Sequence, residues 1–197
     1  MCSNGECIVI QIGQCGNQIG SRLWNKILTE HSTYNSGTFT PSLSTFFTHL
    51  NNKGILTTSL KSPPSLHTLK ARGIIIDMEP NVVNQILKSS IKDLFFDHQM
   101  ITSNSGSGNN WGCGYYTYGN DYNEVIMDSI RKEAEKCDAL SAFFMIHSLG
   151  GGTGSGLGSF VNEQLADYYP DVIRFNTCIC PSFTDDVVTS PYNTYTF

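Results

Sequence analysis

His147-Ser148-Leu149-Gly150-Gly151-Gly152-Thr153-Gly154-Ser155-Gly156 is the stretch from which the rest of the chain can be ordered. It follows the apolar run Ala142 to His147, and apolar residues then recur at Leu157, Phe160, Val161 and Leu165, the spacing of one helix face. A buried strand, a glycine turn from Gly150 to Gly156 and a helix are expected in that order. Glycines here cost unfolded-chain entropy, but they leave backbone N–H groups open beside a helix N-terminus, whose dipole favours an anion. The turn therefore predicts phosphate binding, with Ser148, Thr153 and Ser155 as hydroxyl donors; the bland alternative is a flexible loop. Two better-known motifs are excluded: no lysine follows a glycine, as a Walker loop requires, and G-x-G-x-x-G has no match.

Upstream, Cys7 to Ile12 reads as a short buried strand stopping at Gly13. After a turn from Gly13 to Gly16, the residues Ile19, Leu23, Trp24, Ile27 and Leu28 mark a helix face. His31 to Leu69 is rich in Ser, Thr, Asn and Gly, with Pro63-Pro64 near its end, and is expected to be mostly loop around one short ordered piece at Phe46-Phe47. Ala71 to Asp77 reads as the second strand, and Pro80 opens a short helix through Val83, Ile86 and Leu87. A third strand at Gln99 to Thr102, the polar segment Ser105 to Asn110, a helix from Asp121 to Ala134 and a strand from Val172 to Cys180 complete the order. Strands alternating with helices predict an α/β fold: a Rossmann-like, doubly wound parallel sheet with its ligands at the carboxyl ends of the strands.

With 12 basic against 17 acidic residues the net charge is -5, which argues against a nucleic-acid partner. Seven cysteines, none in a CxxC pair, suit reduced cytosolic thiols. No signal peptide or membrane span is expected, because the apolar runs are strand-sized.

Several loops at the strand ends carry candidate chemistry. Gly13 to Gln18 repeats the strand, turn and helix order with more amides, so its backbone suits phosphate and Gln18 a base or ribose, unless it merely caps the helix. Asp77 and Glu79 suit Mg2+ beside a polyphosphate, the alternative being that one of them caps the helix at Pro80. Asn109 and Asn110 suit a terminal phosphate by the same placement. Cys15 falls beside the nucleotide by position, while His147 reads as a satisfied buried histidine. No Ser/His/Asp or Cys/His nucleophile set is readable from spacing, so the site reads as one built to bind.

Four motifs, Gly13-Gln-Cys-Gly-Asn-Gln-Ile-Gly20, Asp77-Met-Glu-Pro80, Gly106-Ser-Gly-Asn-Asn-Trp111 and the opening decapeptide, together resemble the tubulin family, in that order. The last is highly specific to tubulins and their bacterial relative FtsZ. The resemblance covers essentially the whole chain. Within the family, Leu69 to Arg72, Ile101 to Trp111 and Asp185 to Asn193 are most similar to the epsilon type. Ser190 stands where the alpha and beta types usually carry an acid before Pro-Tyr-Asn, so the ribose contact of that acid is not carried over.

The resemblance implies a tubulin/FtsZ-type GTPase domain with GTP or GDP and Mg2+ as cofactors. Gln14, Cys15 and Gln18 match the first nucleotide loop and Asn109 and Asn110 the third. Ser148, Gly151, Gly152, Thr153 and Gly154 match the fourth, and Asp186 falls in the fifth, near the sugar. Asp77 and Glu79 match the second loop and its metal.

It also implies that residues 1–197 are an N-terminal nucleotide-binding domain, incomplete at its C-terminal end, with a loop-rich insertion at about 31–69. The family's guanine-stacking helix, catalytic loop, intermediate domain and C-terminal domain would lie past Phe197. Hydrolysis in this family needs an acid from the neighbouring subunit, so no catalytic residue is expected in this chain and no turnover by it alone. The implied setting is cytoplasmic and cytoskeletal, with other tubulin-family subunits and centriole or basal-body components as partners, and with neither nucleic acid nor membrane. A competing expectation is a truncated piece that binds nothing and exposes apolar surface on the open side of its sheet.

Overall fold

A computed structural model of the chain describes residues 5–31, 41–50, 56–57, 68–182 and 187–196. Five parallel strands form the main sheet: β1 (Glu6–Ile12), β5 (Gly73–Asp77), β6 (Met100–Thr102), β7 (Leu140–Ser148) and β8 (Ile173–Ile179). Their spatial order is β6-β5-β1-β7-β8. The chain builds outward from β1 to one edge and then returns to build the other side, the doubly wound arrangement expected from sequence.

The central strands β1 and β5 are rich in β-branched residues, and β7 in apolar ones, because both of their faces are covered. Ile8, Ile10 and Ile12 of β1 pack with Ile74, Ile76, Phe143 and Met145 beneath α3 (Gly119–Ala134) and α4 (Gly158–Tyr168), which contribute Ile126, Ile130, Phe160, Val161 and Leu165. Val9, Ile75 and Ile146 face the other way, beneath α1 (Gly13–His31) and α2 (Pro80–Leu87), which contribute Trp24, Ile27, Val82, Val83 and Ile86.

Three boundaries differ from the sequence reading. Ala71 to Asp77 is not one strand. It breaks at Arg72 into β4 (Leu69–Ala71) and β5, and β4 belongs to a second, antiparallel sheet of order β3-β2-β4, with β2 at Phe47–Leu50 and β3 at Leu56–Thr57. Part of the predicted loop region is therefore sheet, seated where Phe47 and Phe95 each form a T-shaped pair with Trp24 at centroid distances of 5.4 and 5.8 Å. Apolar alternation did not announce these strands because they are only two to four residues long.

The helix expected from Asp121 already begins at Trp111 and runs through a π-helical turn at Cys113–Tyr118 before α3. Likewise Gly152 onward is helical, π-helical over Thr153–Leu157, so the turn proper is only Leu149 to Gly151. A π turn changes the residue spacing, which hides a helix start from a 3.6-residue pattern. Among the described residues no helix is long and apolar enough to cross a membrane, and six cysteines are free.

Candidate functional site

The sheet's switch point lies between β1 and β7, and loops from both converge there. Gly13 leaves β1 with φ 74°, a left-handed conformation that glycine adopts without strain, and α1 starts at once. Neither α1 nor the π-helical turn after β7 has an acid in its first turn, so no first-turn carboxylate offsets the dipole at either N-terminus.

A cavity of about 170 Å³ opens between them. From α1 it is lined by Gly13, Gln14, Cys15 and Gln18, and from the end of β5 by Asp77 and Glu79. The loop after β6 adds Ser107 and Asn109; the loop after β7 adds Ser148, Gly151, Gly152, Thr153 and Gly154. A larger cavity, about 470 Å³, lies between α1 and α2 and shares Gln18, but it has neither a carboxylate nor a glycine turn. The smaller one holds the convergent polar groups that a ligand site needs.

The glycines of the turn divide by geometry. A Cβ on Gly151 would meet nothing closer than Ser148 Oγ at 3.6 Å, so it would project into the cavity. A Cβ on Gly156 would lie 2.1 Å from the Trp111 carbonyl oxygen, so that glycine lets two helical segments cross at backbone distance. Ser155, predicted as a ligand donor, turns away from the cavity: it is fully buried and its hydroxyl donates to the Gly151 carbonyl. Thr153 stays at the cavity, its Oγ1 2.9 Å from Ser107 Oγ.

Asp77 is buried while Glu79 is exposed. Burial pushes the Asp77 carboxyl up to about 6, and the charge of Glu79 adds to this; hydrogen bonds from the Glu79 and Met78 amides and from the Asn17 side chain oppose it. Asn17 is itself buried, donating to the Ile76 carbonyl at 2.9 Å. Glu79 stands at the N-cap of α2, yet its side chain makes no capping hydrogen bond, so neither carboxylate is engaged as the helix cap. Two oxygen-donor carboxylates on the lip of a phosphate-sized cavity fit a hard cation such as Mg2+. Among the described residues no group of three or more His, Cys, Asp or Glu is assembled into a closed metal cage.

Asn109 has φ 54°, a left-handed backbone that asparagine tolerates better than most residues, and it lines the cavity. Asn110, predicted beside it, does not line the cavity; its Oδ1 accepts from the Cys113 amide at 3.4 Å, at the start of the helix. Asp186 lies outside the described residues. Ser107, inside the quoted Gly106 to Trp111 motif, also lines the cavity; a single serine in a polar, glycine-rich loop carries no sequence signal of its own.

Burial raises the Cys15 thiol, so it stays protonated at neutral pH. His147 is fully buried with Nε2 3.2 Å from Cys178 Sγ. Burial lowers the histidine and raises the thiol, so the pair stays neutral and supplies no activated nucleophile.

The fold and site define a class: a doubly wound α/β domain whose switch-point crevice is lined by glycine turns and a carboxylate pair. Residues 6–196 match the family described as "Tubulin/FtsZ family, GTPase domain". The chain belongs to the Tubulin/FtsZ family. It is 47% identical over 189 residues to the tubulin epsilon chains of Mus musculus and of Homo sapiens, matches that cover 95% of this chain and 40% of each relative. It is 40% identical to the tubulin beta-6 chain of Gallus gallus, with 95% and 41% covered. The chain thus spans about two fifths of the length of the curated relatives it matches.

Proposed function

We propose that this chain binds GTP, or GDP after hydrolysis elsewhere, with its phosphates in the switch-point crevice. The observation that carries this reading is the cavity itself, which gathers Gln14, Cys15, Gln18, Asn109, Ser148 and Gly151 to Gly154 around the two carboxylates. Backbone N–H groups of the Gly151-Gly152 segment and of the helix N-termini that line the cavity suit the phosphate oxygens. Asp77 and Glu79 would hold Mg2+, directly or through water. The ion, when bound, neutralises phosphate charge and favours the ionised form of the buried Asp77.

The family resemblance and the 47% identity to tubulin epsilon chains support a cytoskeletal role of epsilon type, in microtubule-related structures of the centriole or basal body. Other tubulin-family subunits are the partners on this reading. The described groups of the crevice suit charge stabilisation and phosphate positioning. On this reading the family resemblance assigns hydrolysis to an assembled state in which a neighbouring subunit supplies the acid.

The test is a GTPase assay on the purified chain with Mg2+, run beside a binding titration. Saturable nucleotide binding with turnover at the buffer rate is expected. Turnover that disappears in Thr153→Ala would overturn the assignment of hydrolysis to a neighbour.

A further inference from the structure

Asn193 lies in α5 (Ser190–Thr196), outside the crevice lining, and its side chain is 2% exposed. Its Nδ2 donates to the Asn109 carbonyl and to the Gly150 carbonyl, both at 2.8 Å, and its Oδ1 accepts from the Trp111 amide at 3.0 Å. One side chain thus bonds the loop after β6 and the loop after β7, which are 84 and 43 residues away from it in sequence. Thr189 Oγ1 also donates to the Asn109 carbonyl at 2.8 Å, and Ser190 Oγ to the Gly150 carbonyl at 3.4 Å.

The two loops meet again on the crevice side through Ser107 and Thr153. They are in backbone contact as well, since a Cβ on Gly152 would lie 2.4 Å from the Asn110 nitrogen. α5 itself is docked through polar groups. Its buried residues are Ser190 and Asn193, while Tyr192 and Tyr195 are exposed. With so little apolar area buried, its docking free energy depends on where the two loops hold their carbonyls.

We infer that Asn193 is a positioning residue that fixes the spacing of the two loops on either side of the phosphate cavity, so that docking of α5 and occupation of the cavity favour one another. The inference rests on the nucleotide reading for its ligand. The coupling is reciprocal: whatever loosens α5 weakens triphosphate binding, and bound triphosphate protects α5.

Asn193→Asp keeps the shape and the acceptor to Trp111 but removes both donors. In the full 197-residue chain with Mg2+, its affinity for GTP is expected to fall about tenfold, while that for GMP, which reaches the loops with a single phosphate, falls less than about twofold. Amide hydrogen exchange should quicken in residues 107–111 and 149–152 and not in β1 or β7. Thr189→Val, which removes one bond to the Asn109 carbonyl, should move the same readouts less and serves if Asn193→Asp does not fold. Equal losses for GTP and GMP, or unchanged GTP affinity in a wild-type chain that binds it, would overturn the inference. Should the wild-type chain bind no nucleotide, the nucleotide reading falls, and unchanged exchange in the two loops would sink the positioning role as well.

Discussion

At the scale of single residues, the glycines between Leu149 and Leu157 separate into ligand-facing and packing positions. Gly151→Ala places a methyl group where phosphate is proposed to sit, in ordinary van der Waals contact with Ser148 and Asn109, so GTP affinity should drop about tenfold with little change in melting temperature. Gly156→Ala drives a methyl into the Trp111 carbonyl and should cost roughly 1–3 kcal/mol of stability, read by urea unfolding. The opposite pattern would reverse the two roles. His147 adds a pH dependence. Burial holds its folded pKa below the ordinary value, so the unfolded chain takes up the proton first. Stability is full above the ordinary histidine pKa and is lost as pH falls through that value toward the folded one. His147→Gln should flatten the stability profile in that window, measured by thermal melts across pH.

At the scale of elements, the break between β4 and β5 is held by a buried ion pair. Arg72 pairs with Glu6, bonds the Lys136 carbonyl at 3.2 Å and lies 3.4 Å from Cys137 Sγ, while Glu6 accepts from the Ala139 amide at 2.8 Å. Arg72→Met strands the Glu6 carboxylate among buried groups and should cost about 3–5 kcal/mol, whereas replacing both partners with apolar residues should recover much of it. A double-mutant cycle by chemical denaturation checks this. Sequence reading took Ala71 to Asp77 as one strand because every residue but Arg72 and the terminal Asp fits the pattern. A charged residue inside an apolar run was the available signal, and it marks where the chain passes from one sheet to the other. Strands covered on both faces were legible because burial there demands continuous apolar runs, β-branched in β1 and β5. The helix starts at Trp111 and Gly152 were not, since glycine and π turns erase the period. Ser107 and Asn193 were hidden for a related reason: their contacts are with partners 43 to 84 residues away.

At the scale of the whole molecule, β8 is an outer strand of the main sheet, with Ile173 58% and Phe175 56% exposed. An open edge beside exposed apolar side chains invites association. The isolated chain should self-associate as its concentration rises, and Ile173→Lys with Phe175→Lys should shift it toward monomer, followed by sedimentation velocity. Nucleotide binding should survive that change, because both residues lie outside the crevice lining.

The central claim is that phosphates sit between the loops after β1, β5, β6 and β7. Titration of the folded chain with a fluorescent GTP analogue in the presence of Mg2+ tests it most directly. Saturable binding is expected, displaced by unlabelled GTP, weakened by chelation of Mg2+ and reduced by Gly151→Ala. No binding by folded protein at millimolar nucleotide, or binding indifferent to both Mg2+ and Gly151→Ala, would contradict it.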